Sequence, residues 1–171
     1  RERERGTMEQ LMVTPVSRWA LVLGKVIPFA VIGSVVTLLV LSLMVFVFGV
    51  PIVGSKFVLL SLSALFLIPS LGLGILISTA ASNQSEASQL GMLIMLPSIL
   101  LSGFVFPRAQ MPLPIYVISC FVPVTYYIEI LRGVILRGTQ FYQLWYPAGV
   151  LAIFAVVIFT AATLRFQKRI A

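Results

Sequence analysis

FVLLSLSALFLIPSLGLGILISTAA, residues 57–81, holds no charged side chain from end to end. About 20 helical residues cross the roughly 30 Å hydrocarbon core of a bilayer, so this stretch is read as a transmembrane helix. Upstream, residues 20–48 form a second apolar stretch of similar kind, with Lys25 close enough to its entry to snorkel back to the headgroups. Gly49, Pro51 and Gly54 break the chain between the two. Downstream, the polar run Ser82-Asn83-Gln84-Ser85-Glu86 is expected to form a tight turn. A third span is expected over 87–106, stopping at Pro107, and a fourth over 144–164, ending in Arg165, Lys168 and Arg169. The fold class expected is an all-α integral membrane bundle of four transmembrane helices, with residues 20–171 as its transmembrane domain.

Composition agrees. The chain of 171 residues is 60% hydrophobic and 10% charged, with a mean hydropathy of +1.09, whereas a soluble domain carries about 25% charged residues. The net charge of +7 comes from Lys and Arg flanking apolar spans, without the interleaved basic and aromatic surface of a nucleic-acid binder. With four crossings, Arg1, Arg3, Arg5, Arg18, Arg165, Lys168 and Arg169 share one face, and Lys56, Arg108, Arg132 and Arg137 share the other. Positive charge concentrates on the cytoplasmic side, which places both ends there.

Residues 107–140 need separate treatment. Met111 to Arg137 is apolar enough for a fifth crossing, but Pro112, Pro114 and Pro123 interrupt it, and Glu129 and Arg132 would lie inside the membrane. A fifth crossing would also move Arg165–Arg169 to the outer face and weaken the charge bias. The segment is therefore expected to lie at, or dip into, the outer face, where irregular backbone is tolerated if it packs on protein. Glu129 and Arg132, three residues apart, are expected to pair on one helix.

Several chemistries are excluded. The chain has no His and no Asp, and Cys120 is its single cysteine. No His-based triad, aspartyl dyad, intramolecular disulfide or metal cluster is available, and no GxxxxGK[ST] phosphate loop occurs. No catalytic, cofactor-binding or metal residue is assigned. The chain starts at Arg1, not Met, and no signal peptide precedes the first span; an N-terminally truncated piece of a longer protein is expected.

Two local patterns invite function. Residues 1–19 begin with Arg1-Glu2-Arg3-Glu4-Arg5-Gly6, too charged to enter lipid, followed by Thr7-Met8-Glu9-Gln10 as a capping box and a short helix through Leu11, Met12 and Val13. Thr14-Pro15 supplies a second cap that launches the next helix at an angle. Such an element either anchors the membrane entry or docks a soluble partner. Ser70, Gly74, Ser78 and Ser82 recur every four residues along the second span, a spacing that permits close helix packing within the protomer, at a subunit interface or along a substrate path.

The run Arg3-Glu4-Arg5-Gly6-Thr7-Met8-Glu9-Gln10-Leu11, continuing through Val13-Thr14-Pro15 to Gly24-Lys25, resembles the cytoplasmic loop of type-2 ATP-binding-cassette (ABC) exporter permeases. Ser102-Gly103-Phe104-Val105-Phe106-Pro107, Met111-Pro112, Pro123-Val124-Thr125-Tyr126-Tyr127 and Glu129-Ile130-Leu131-Arg132-Gly133 resemble the outer loop before that family's last helix. The resemblance covers the chain as the C-terminal half of a bacterial, multidrug-exporter-like permease.

It implies that Glu4, Gly6, Thr7, Glu9, Gln10, Leu11, Thr14 and Pro15 form a coupling helix docked on an ATP-binding subunit. It also implies that Phe106, Pro107, Pro123, Tyr126, Glu129 and Arg132 belong to re-entrant outer helices acting as a gate. ATP and Mg would be bound by the partner subunit, and no cofactor by this chain. Expected partners are that ATPase, a second permease copy or homologue, membrane lipid and a periplasmic adaptor protein, with no nucleic acid. The expected role is a transport subunit, not an enzyme, in the bacterial inner membrane, moving hydrophobic or amphipathic compounds outward. A membrane-embedded enzyme using Glu129 with Tyr126 or Tyr127, and an ATP-independent channel or anchor, are the alternative readings.

Overall fold

A computed structural model describes the chain from Arg18 to Lys168. Six α-helices follow in order: α1 Arg18–Phe46, α2 Lys56–Ala80, α3 Gln84–Leu101, α4 Leu113–Ser119, α5 Pro123–Arg137 and α6 Trp145–Lys168. Short 3-10 turns at Arg108–Gln110 and Phe141–Leu144 precede α4 and α6. No strand occurs among the described residues. The segment Glu4–Pro15, including Gly6, Thr7, Glu9, Gln10, Leu11 and Thr14, lies outside the described residues.

The chain breaks sit where glycine and polar caps put them. α1 ends because Gly49 turns left-handed, at φ +64, while Val47 and Phe48 both donate to the Leu43 carbonyl. The polar run after α2 is shorter than expected as a turn, since Asn83 N-caps α3 and draws Gln84–Glu86 into its first turn. The Asn83 side chain accepts from the Glu86 N–H at 2.8 Å, and the Glu86 carboxylate accepts from the Ser82 N–H at 2.7 Å.

Among the described residues, three helical stretches are long and apolar enough to cross a membrane: Val26–Phe46, Lys56–Ala80 and Phe141–Leu164. The pair Leu113–Ser119 and Pro123–Arg137, bent by 86°, makes a fourth if it is taken as one span. The third span expected over 87–106 is helical only as α3, Gln84–Leu101. Its opening residues are polar, so the apolar part, Leu90 to Leu101, extends only roughly 18 Å, short of the core thickness. The helix ends at Ser102, and Gly103 at φ +84 turns the chain before Phe106 is reached.

The core forms where α5 wedges between α2 and α6. Leu59, Leu62, Ile130, Val134, Ile135, Leu144, Ala148 and Leu151 make one buried cluster, with Leu41 and Met44 of α1 against it. α2 and α6 approach closely at Gly72. A Cβ there would stand 2.9 Å from Ile158 Cγ2 and 3.4 Å from the Phe159 backbone nitrogen. α1 meets α2 at Gly33, where Leu67 lies over the missing side chain. α3 buries no residue.

Candidate functional site

Between α3 and α6 the chain folds into a hairpin whose two arms are α4 and α5. Pro123 occupies the first position of α5, where its missing N–H leaves no bond unmade. The corner between the arms is closed by two hydrogen bonds. Thr125 Oγ1 donates to the Ser119 carbonyl at 2.9 Å, and the Tyr126 hydroxyl donates to the Cys120 carbonyl at 3.0 Å.

α5 is keyed to the bundle along its length. The Tyr127 ring stacks on Phe66 of α2, centroids 4.2 Å apart and planes within 2°. Its hydroxyl lies 2.9 Å from Ser63 Oγ. Ser63 already donates its one proton to the Leu59 carbonyl, so Tyr127 is the donor in this pair. Tyr126, buried, faces Phe154 of α6 at 5.9 Å.

These contacts measure how far the hairpin reaches. Ser63 and Phe66 stand roughly 10 and 15 Å along α2 from its start, and Phe154 roughly 13 Å along α6. The start of α5 therefore packs roughly 10–15 Å along both α2 and α6 from their starts.

The other end of α5 is capped by a distant loop. The Gly133 carbonyl accepts from both Gly138 and Thr139, with Gly138 left-handed at φ +62. That leaves the Val134 and Ile135 carbonyls without a donor in their own helix. The α1–α2 loop supplies both: the Gly54 N–H donates to Val134 O at 3.0 Å and the Val53 N–H to Ile135 O at 3.3 Å. Gly54 has no room for a side chain, since a Cβ would lie 2.7 Å from the same Val134 oxygen.

Arg108 joins the arms. From its 3-10 turn it donates through Nη2 to Cys120 Sγ at 3.4 Å, and Nη1 lies 3.6 Å from the Glu129 carboxylate. Its guanidinium stands 4.9 Å from the Tyr116 ring centroid and 5.9 Å from that of Tyr126. Glu129 is thus paired with Arg108, not with Arg132 as helical spacing suggested. Arg132 reaches instead to the end of α3 and donates to the Gly103 carbonyl at 3.1 Å. Helical spacing permits a Glu129–Arg132 pair, but a folded-back hairpin brings a better-placed cation and an uncapped carbonyl into reach.

Of the residues expected at the outer gate, Pro123 and Tyr126 are buried at the corner, and Glu129 and Arg132 tie the hairpin to Arg108 and Gly103. Phe106 and Pro107 stand exposed on the approach to it. The Ser70, Gly74, Ser78 and Ser82 stripe points away from α6. Gly74, Ser78 and Ser82 are exposed, and a Cβ on Gly74 would meet nothing within 4 Å. Ser70 donates to Phe66 O within its own helix.

Sequence reasoning did not single out Arg108, Ser63 or Gly54 as site residues. Arg108 counted only as an outer charge, although a lone cation after Gly103-Phe104-Val105-Phe106-Pro107 is a signal of an anchored turn.

Tyr127→Phe is expected to keep the stack on Phe66 and lose only the bond to Ser63. The cost is about 0.5–1.5 kcal/mol, because Ser63 remains satisfied by Leu59. Tyr127→Leu removes the stack as well and should lower thermal stability in detergent further. Equal midpoints for the two variants would show that the stack contributes nothing.

Comparison with known proteins adds the following. A family model described as ABC-2 type transporter matches residues 1–136. The probable multidrug ABC transporter permease YbhS of Escherichia coli (strain K12) is 42% identical over 139 residues, covering 81% of this chain and 37% of the relative. The inner membrane transport permease YhhJ of Escherichia coli (strain K12) is 34% identical over 171 residues, 99% of this chain and 46% of the relative. The linearmycin resistance permease protein LnrN of Bacillus subtilis (strain 168) is 26% identical over 159 residues, 93% of this chain and 41% of the relative. The chain thus spans less than half the length of these relatives. No solved structure matches it.

Proposed function

The chain belongs to the ABC-2 type transporter family, and from that membership we propose that it is the C-terminal part of a permease subunit that exports hydrophobic or amphipathic compounds with energy from a separate ATP-binding subunit. The observation that carries this reading is the family match itself, which covers residues 1–136 and so reaches the last turn of α5. The relatives named as multidrug or resistance permeases support the substrate class.

In this reading residues 1–19, with Glu4, Gly6, Thr7, Glu9, Gln10, Leu11, Thr14 and Pro15, form the coupling helix. ATP and Mg are bound on the partner. Two permeases pair, lipid surrounds them, and a periplasmic adaptor protein is a further partner on the outer side. The subunit itself carries out no chemistry. It sits in the bacterial inner membrane with both ends cytoplasmic and crosses four times, through α1, α2, α6 and a third crossing over 87–106 in which the non-helical stretch 102–106 completes what α3 is too short to span.

The hairpin over 107–140 is then a re-entrant outer gate. Three features support this: its 86° bend, its packing roughly 10–15 Å along α2 and α6 from their starts, and the attachment of its last turn to the α1–α2 loop. The small-residue stripe Ser70, Gly74, Ser78 and Ser82, facing away from α6, is read as surface for a second subunit or for the substrate path.

Purification of the full-length permease with its ATP-binding subunit tests the reading. The pair is expected to survive detergent extraction and gel filtration. Leu11→Asp combined with Glu9→Lys should reduce the retained ATPase at least about tenfold, because a charge replaces the apolar anchor of the docking helix. If the permease purifies without any ATP-binding protein, and the double variant exports at the normal rate, the proposal fails.

A further inference from the structure

The hairpin's two arms are held in very different ways. α5 is welded to the bundle. Ile130 and Val134 are fully buried, Tyr127 stacks on Phe66, and the α1–α2 loop caps its last carbonyls. α4 buries only Ser119 among its own residues, while Leu113, Ile115, Val117 and Ile118 stand exposed.

The Arg108 side chain touches both arms: Tyr116 and Cys120 on the α4 side, Tyr126 and Glu129 on α5. Its stem lies on Gly103, where a Cβ would come within 3.0 Å of Cγ and the backbone is left-handed. No other residue type serves all four partners, since only guanidinium offers forked donors and a flat face for rings.

The two polar contacts are nevertheless soft. The acceptor on one arm is a thiol sulfur at 3.4 Å. The ion pair on the other is 3.6 Å, long against the roughly 2.7–2.9 Å of a strong charge-assisted bond. Arg108 Nε is buried with no hydrogen-bond partner, so the closed arrangement carries a penalty that is relieved once the side chain meets water or headgroups.

We propose that Arg108 is a releasable latch: its guanidinium clasps the α4 arm against the fixed α5 arm, and its release lets α4 swing about the Ser119–Pro123 corner. The hinge is built in, since the Thr125–Ser119 and Tyr126–Cys120 hydrogen bonds hold the corner independently of Arg108. The latch stands on this geometry alone; its consequence for export rests on the gate reading above.

Cys120 is half-buried beside the latch and reports on it. The full-length permease in intact cells is treated with a membrane-impermeant maleimide, and modification of the Cys120 peptide is followed by mass spectrometry. Arg108→Met keeps the stem on Gly103 and removes the guanidinium. It should raise the labelling rate at least about tenfold, with Arg108→Lys intermediate. Glu129→Gln, which removes one partner without changing the packing, should move the rate in the same direction by a smaller factor. Arg137→Gln, at the far end of α5, should leave it unchanged.

A labelling rate in Arg108→Met equal to or below that of the unaltered protein overturns the latch, whatever happens to export. If Arg108→Met is lost from the membrane, Glu129→Gln decides, and an unchanged rate there overturns it too. Faster labelling with unaltered export upholds the latch and removes the gate reading. Faster labelling with altered export supports both.

Discussion

Gly72→Val is expected to drive α2 and α6 apart. A Cβ at position 72 meets Ile158 Cγ2 at 2.9 Å, the Phe159 nitrogen at 3.4 Å and the Ile158 carbonyl carbon at 3.5 Å. The first is a side-chain atom that can turn away. The other two belong to the backbone of α6 and already stand at ordinary contact distance from the Cβ, so it is the γ methyls of Val, reaching beyond that Cβ, that press on the helix. In lipid the hydrophobic effect does not press helices together, so van der Waals contact at close approach supplies much of the association. Overpacking of this kind costs about 1–3 kcal/mol. The thermal midpoint of the purified permease should therefore fall by about 2–12 °C, with Gly72→Ala producing a smaller drop. Gly74→Val is the comparison, because nothing lies within 4 Å of that position, and its midpoint should stay near that of the unaltered protein. A larger loss in Gly74→Val than in Gly72→Val would show that the wrong face of α2 has been assigned to the intramolecular contact.

Gly54→Ala should detach the α1–α2 loop from the hairpin. The added methyl would lie 2.7 Å from Val134 O and 2.9 Å from Val134 Cγ1. Val134 is fully buried, so the loop and not the helix gives way. Retreat of the loop breaks the Gly54–Val134 and Val53–Ile135 hydrogen bonds and leaves two helix-end carbonyls unpaired. Each unsatisfied buried group costs about 1–3 kcal/mol. Hydrogen exchange reads the effect locally: the amides of Val53 and Gly54 should exchange at least about tenfold faster, while amides in the middle of α2 and α6 stay protected. Unchanged exchange at residues 53 and 54 would mean the loop absorbs the methyl without leaving. Gly138→Ala strikes the same joint from the other side, since Gly138 is left-handed and a Cβ would meet Val53 Cγ1 at 2.9 Å. The two substitutions share partners, so their effects should not add.

The candidate site was legible in outline. Proline positions and charge placement marked residues 107–140 as something other than a fifth straight span, and the motif around Pro123 to Gly133 pointed to the hairpin's fixed arm. The pairing within it was not legible. Glu129 and Arg132 satisfy the helical spacing rule, yet Glu129 goes to Arg108 and Arg132 to Gly103. The rule weighs neighbours on one helix and says nothing of a chain that reverses and brings a third segment alongside.

The third span was misjudged in extent for a related reason. Its apolar stretch was counted through Phe106, but Gly103 takes a left-handed conformation and turns the chain before then.

By itself, then, the amino-acid sequence determined that the chain is helical and membrane-embedded and where most of its helices break, together with the family to which its motifs belong. Those properties are local. They depend on hydropathy over about 20 residues, on Gly and Pro, and on caps within one turn.

Only the tertiary structure decided which face of α2 meets α6. The answer is Gly72, not the stripe Ser70, Gly74, Ser78 and Ser82. It also decided that Tyr127 finds Ser63 and Phe66, and that a loop before α2 caps the end of α5. In a soluble helix the apolar stripe announces the buried face. A helix bounded by lipid is apolar all round, so hydropathy no longer separates inside from outside, and the choice passes to shape and to the few polar groups that need partners.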